Sequence, residues 1–90
     1  MSVKIHLHAT HRSYVGGLDE VEVEGQSVGE CIEQLVSKHP DMKQALFDKK
    51  GKLKNIIDIY LNQESTYPEE LAKPVEDGDE IHITVILAGG

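Results

Sequence analysis

One change of period constrains this chain more than any other feature. In "SVGECIEQLVSKHP" the apolar residues Val28, Cys31, Ile32, Leu35 and Val36 recur at helical spacing and line one face. Before and after this stretch, apolar residues alternate with polar ones, the pattern of half-buried strands. Ser27 and Glu30 form an S-x-x-E capping box, which satisfies free N–H groups at a helix start. Lys38 and His39 suit the C-terminal dipole, and the Pro40 ring disfavours continuing the helix. A helix with one apolar stripe needs one sheet face to cover, so the expected fold class is α+β in two layers.

Val3, Ile5, Leu7 and Ala9 alternate with Lys4, His6, His8 and Thr10 and predict the first strand. Gly16 and Gly17 suit a turn with positive φ. Val21 and Val23 then alternate with Glu20, Glu22 and Glu24, so the two strands are expected to pair as a hairpin. "DMKQALFD" predicts a short second helical turn with Met42, Leu46 and Phe47 inward. "IIDIYLNQ" reads as the third strand, with Ile57, Ile59 and Leu61 sharing a face. A brief edge strand is expected around Thr66 and Tyr67. The turn "EDGDE" launches the last strand, where Ile81, Ile83, Val85 and Leu87 alternate with His82, Thr84 and Ile86. Short right-handed connections let the last strand lie parallel beside the first, in the sheet centre. The expectation is a mixed sheet of four to five strands packed on one main helix, the β-grasp of ubiquitin-like domains.

Ninety residues predict a single domain, 1–90, with a short tail over 87–90. With no tryptophan and one phenylalanine, aliphatic side chains must fill the core. The net charge of −7 argues against nucleic acid, because an acidic surface repels phosphates. The lone Cys31 excludes an internal disulfide and a CxxC redox pair, and its place on the helical stripe reads as core. "MSVKIHLHAT" contains no secretory h-region, and no apolar stretch nears the ~20 residues that span a bilayer. The expected setting is cytoplasmic, away from membranes.

No motif equips the chain for catalysis. It has no G-x-x-x-x-G-K-[ST] loop for a nucleotide, no G-x-S-x-G elbow and no HExxH. His6, His8 and His82 fall on one outward sheet face if the first and last strands are neighbours. Three imidazoles without an evident fourth ligand read as a polar, partly exposed face and not as a metal site. Lys49, Lys50, Lys52 and Lys54 read as a solvated loop. Glu20, Glu22 and Glu24 form an acidic stripe, suited to solvent or to steering toward a basic protein surface.

Three stretches carry a resemblance: "IYLNQE" in the third strand, "VEDGDEIHI" before the last strand, and the final "GG". In this order they resemble the ThiS/MoaD-type sulfur-carrier proteins across nearly the whole chain. "VGGLDEVEVEG", "LFDKKGKLKNIIDIYLN" and "ILAGG" are most similar to the carriers serving cysteine biosynthesis. The resemblance implies that an E1-like enzyme uses ATP to adenylate the C-terminal carboxylate, and that sulfur then replaces AMP. It implies Gly90 as the residue bearing the adenylate and then the thiocarboxylate, Gly89 as the other half of the motif, and a sulfur-accepting synthase as the second partner. ATP belongs to the activating partner, and no cofactor is expected on this chain. Glycine at these positions leaves the reacting carbonyl uncrowded. Ile86, Leu87 and Ala88, between strand and glycines, are candidate docking residues. The alternatives are the small subunit of molybdopterin synthase, a ubiquitin-like protein modifier, and a non-covalent binding module.

Overall fold

A computed structural model describes residues 2–67 and 69–86 of the chain. Its strands are β1 (Ser2–Leu7), β2 (Glu20–Glu24), β3 (Ile57–Leu61), β4 (Glu64–Ser65) and β5 (Glu80–Val85). Two α-helices, α1 (Val28–Lys38) and α2 (Met42–Leu46), lie between β2 and β3, and two 3-10 helices cover Ala9–Val15 and Glu70–Ala72. The strands form one five-stranded sheet in the order β2-β1-β5-β3-β4. β1 runs antiparallel to β2 and parallel to β5, and β5 runs antiparallel to β3. The last strand therefore lies beside the first at the centre of a β-grasp sheet, as the element order predicts.

Alternation decides which sheet face is apolar. Val3, Ile5 and Leu7 of β1, Val21 and Val23 of β2, Ile57 and Ile59 of β3, and Ile81 and Ile83 of β5 are all buried. Val28, Cys31, Ile32 and Leu35 of α1 close over them, joined by Met42 and Leu46 of α2. The capping box forms with a one-residue shift. Ser27 Oγ accepts the Glu30 N–H at 3.1 Å, while the Glu30 carboxylate reaches back to the Gln26 N–H at 3.0 Å. Both bonds satisfy donors at the helix entrance, which is what the motif is for.

The second 3-10 helix packs on the start of α1. Val28 N–H bonds to the Lys73 carbonyl at 2.8 Å, and Val75 N–H bonds to the Gln26 carbonyl at 3.0 Å. Gly29 is the point of closest approach, where a Cβ would stand 2.9 Å from the Leu71 carbonyl oxygen. Alanine in a helix is ordinarily favoured over glycine by about 1 kcal/mol. Here the backbone clash outweighs that gain, and Gly29→Ala is expected to destabilise the fold by about 1–2 kcal/mol, read as a lower urea midpoint.

The sheet also departs from the sequence reading in two places. Ala9 is not in β1, because the chain leaves the sheet after Leu7 and winds into the 3-10 helix Ala9–Val15. His8 starts that helix, its Nδ1 accepting the Thr10 N–H at 3.2 Å. His11 and Val15 turn inward at helical spacing, a signal too short to separate from alternation. Gly16 does adopt positive φ (70°), but as the left-handed cap of this helix and not as the tip of a tight hairpin. The edge strand falls at Glu64–Ser65, earlier than Thr66 and Tyr67. Asn62 and Gln63 both take positive φ (50° and 74°) and form a two-residue turn that folds the chain back immediately after Leu61. Thr66 then ends the strand, its buried hydroxyl donating to the Ile59 carbonyl at 2.7 Å. Phe47, expected inward, is only half-buried, where it bridges Leu53 across the lysine loop.

Candidate functional site

Because β1 and β5 are parallel, they finish at the same end of the sheet, and the antiparallel β2 and β3 begin there. The C-terminal segment leaves from this end. β5 is paired with β1 as far as Ile83, opposite Leu7, and with β3 as far as Val85, opposite Ile57. One further bond, from the Ile86 N–H to the Ile56 carbonyl at 2.6 Å, ties the root of the tail to the start of β3. Ile86 is 49% exposed, consistent with its expected outward place. Leu87, Ala88, Gly89 and Gly90 lie outside the described residues. The tail therefore starts from a central strand whose last residues, Val85 and Ile86, are held by β3 alone.

The 3-10 helix Ala9–Val15 forms part of the same end. Val15 is buried beneath it, while Tyr14 on its outer side is 42% exposed. His11 is 6% exposed, and its Nδ1 has no hydrogen-bond partner among the described residues. Burial holds the His11 imidazole below its ordinary value of 6.5, and the neighbouring His8 and Lys54 lower it further. Below pH 6.5 the unfolded chain binds a proton that the folded chain resists. Stability should be fully present above that pH and fall as pH drops through 6.5 toward the lower folded value. Urea midpoints between about pH 7.5 and pH 5 should show this fall, and His11→Leu should flatten it.

Of the three histidines singled out in the sequence, the fold brings two together. His6 and His82 face each other across β1 and β5, their rings stacked 4.3 Å apart and 9° from parallel. Carboxylates hold His6: Glu80 Oε1 lies 2.6 Å from Nε2, and Glu20 Oε2 lies 3.6 Å from Nδ1. His8, expected beside them, is drawn away as the cap of the 3-10 helix. Among the described residues no group of three or more His, Cys, Asp or Glu is placed to hold a metal ion. Cys31 is fully buried, and burial, reinforced by Glu30, pushes its thiol up, away from the reactive thiolate. The lysine loop is ordered by Asp48, whose Oδ1 accepts the N–H groups of Lys50 at 2.8 Å and Lys52 at 3.0 Å.

Two of the stretches that carry the family resemblance meet in space, at the start of β5. Asn62 Nδ2 donates to Asp79 Oδ1 at 3.0 Å, its Oδ1 accepts the Glu80 N–H at 2.9 Å, and its own N–H bonds to the Glu80 carbonyl at 2.8 Å. Asp79 in turn accepts the Glu76 N–H at 2.7 Å, closing the turn before β5. "IYLNQE" and "VEDGDEIHI" thus form one junction that sets the start of β5. Their chemistry is structural.

Comparison with known proteins places the chain in a family. The ThiS family model matches residues 5–90. The sulfur carrier protein CysO of Mycobacterium tuberculosis is 30% identical, with all of both chains aligned. A crystal structure of the Amycolatopsis orientalis BexX/CysO complex contains a chain 32% identical, superposing with a TM-score of 0.87 over 98% of this chain and 99% of that one. The solution structure of small archaeal modifier protein 1 from Methanosarcina acetivorans is 30% identical, with a TM-score of 0.83 over 99% of this chain and 96% of that one. No helix of the described residues is long and apolar enough to cross a membrane.

Proposed function

Since this chain belongs to the ThiS family, we propose that it is a sulfur carrier whose Gly90 carboxylate is the reacting group. The full-length likeness to CysO carries this reading and favours a place in cysteine biosynthesis. In the first step a Gly90 carboxylate oxygen attacks the α-phosphorus of ATP on an E1-like enzyme. Pyrophosphate leaves, and an acyl-adenylate remains. A sulfur nucleophile at the hydrosulfide level then attacks the carbonyl carbon, the bond to the AMP oxygen breaks, and AMP departs with the electron pair. The product is a C-terminal thiocarboxylate, which a sulfur-accepting synthase uses as its sulfide donor. The chain contributes no catalytic side chain. Its part is a carbonyl uncrowded by substituents, presented at the end of a strand that β3 holds as far as Ile86.

High-resolution mass spectrometry of the trypsin-derived peptide Asn55–Gly90, from protein purified out of its source cells, tests this directly. Met1, Met42 and Cys31 all lie outside that peptide, so replacement of oxygen by sulfur at Gly90 cannot be confused with oxidation of those residues. Sulfur on Gly90 is the expected result. A free carboxylate throughout, with no adduct after E1-like enzyme and ATP are added, would instead point to a non-covalent binding module. The likeness to a small archaeal modifier protein supports a second reading, in which the activated Gly90 forms an amide with a lysine of another protein. Conjugates of higher mass would mark that outcome.

A further inference from the structure

We infer that the groove between α1 and the lysine-rich segment 43–54 is a docking site for an acidic, amphipathic helix of a partner protein. The groove belongs to the helix layer, across the core from the open sheet face. It uses no residue of the tail and so goes beyond the carrier reading.

The apolar lining comes from Ile32 and Val36 of α1, Phe47 just after α2, and Leu71 of the second 3-10 helix, around a volume of about 610 Å³. Val36, Phe47 and Leu71 pack against the core but stay half-buried, so their outer surfaces face the groove. Single exposed apolar residues are ordinary, whereas a contiguous apolar hollow marks an interaction surface. Along α1 the lining runs from Gly29 through Ile32 and Val36 to Ser37, one face of the helix. At 1.5 Å per residue that stretch is about 12 Å long, or roughly two helical turns. Leu71 closes the end at Gly29, where it approaches the α1 backbone most closely. Side chains at i, i+3, i+4 and i+7 of an incoming helix form a ridge that fits a groove of this length.

Charge selects the occupant. Lys43, Lys49, Lys50, Lys52 and Lys54 are five of the nine basic residues in a chain of net charge −7, and the segment that holds them contains one acid, Asp48. Asp48 is engaged with the backbone N–H groups of Lys50 and Lys52. The ion pairs among the described residues are both made by His6, so no carboxylate neutralises these ammonium groups. A second hollow, lined by Lys43, Phe47, Lys49 and Lys54, adjoins the groove and shares Lys43 and Phe47 with it. The lysines therefore border the groove on its α2 side, while Glu33 and Ser37 stand on the α1 side. An apolar ridge flanked by Asp or Glu complements both features, and the acidic remainder of the surface repels it from landing elsewhere. A bilayer is too flat to enter the groove, and an anionic one is repelled by the net charge. A second copy could offer the acidic stripe of β2, but Val21 and Val23 beside it are buried and supply no apolar ridge.

Two helical peptides of about eighteen residues test this, each with leucines at i, i+3, i+4 and i+7 and differing only in flanks of glutamate or of lysine. Each is titrated into the isotope-labelled full chain, and amide shifts are followed by NMR. The glutamate peptide should bind at least about tenfold tighter than the lysine peptide, with the largest shifts at Ile32, Val36, Lys43, Phe47 and Leu71. Its affinity should fall as salt is raised, and Lys43→Glu/Lys49→Glu should weaken it by about tenfold or more. Both lysines are exposed, so an unchanged urea midpoint will show that the double variant keeps the fold. Dissociation constants weaker than about 1 mM for both peptides, equal binding of the two, or shifts centred on the open sheet face would each overturn the inference. So would binding to phosphatidylglycerol vesicles in place of the peptide, or a dimer in analytical ultracentrifugation that the double variant abolishes.

Discussion

Extending the chain by a short peptide after Gly90 should lower ATP-dependent activation by at least about a thousandfold, or roughly 4 kcal/mol of transition-state stabilisation. The urea midpoint should not move. The extension turns the Gly90 carboxylate into an amide, whose carbonyl oxygen is too weak a nucleophile to attack the α-phosphorus of ATP. The new carboxylate is displaced beyond the adenylation centre by the added residues. Because the folded domain is untouched, the extended chain should still bind the adenylating enzyme and compete with the parent chain for it. Pyrophosphate exchange measures the chemistry, and inhibition of the parent's exchange measures the binding. Continued activation of the extended chain would show that Gly90 is not the reacting residue.

The second large effect is on the fold. Ile5 is fully buried at the middle of β1, with Val21 of β2 on one side and Ile81 of β5 on the other. Ile5→Ala removes packing from both sheet neighbours and from the helix layer, in a place where a rigid sheet collapses little into the cavity. The expected loss is about 3–4 kcal/mol. A domain of this size has a total stability of roughly 5–13 kcal/mol, so about a quarter of it or more would be lost. Chemical denaturation should show the urea midpoint falling with little change in slope. The root of the tail is anchored to the same strands, so this variant should also reduce activation at temperatures where it begins to unfold.

These two outcomes separate what the chain does from what holds it together, and the distinction was only partly legible in the sequence. The helix Val28–Lys38, its Ser27 cap and the alternation of β1, β2, β3 and β5 were readable because each depends on neighbours within a few residues. The 3-10 helix Ala9–Val15 was not, since "ATHRSYV" continues the alternation of β1 for two residues and carries only two inward positions. The turn at Asn62-Gln63 was missed for a related reason. Glutamine at positive φ is uncommon, and the turn is held by Asp79 and Glu80, which lie 17 and 18 residues further on. Leu18 was passed over because an isolated apolar residue in a polar stretch says nothing about where its neighbours will stand.

The sequence by itself determined the periods, the caps, the absence of catalytic motifs and the two-glycine end on which the functional reading depends. Tertiary structure alone decided that His6 meets His82 while His8 does not, and that Asn62 clamps the turn before β5. Each of these juxtapositions joins residues far apart along the chain. A side chain's spacing within its own segment fixes which face it takes, but which distant segment lies against that face follows from the pairing of β1 with β5.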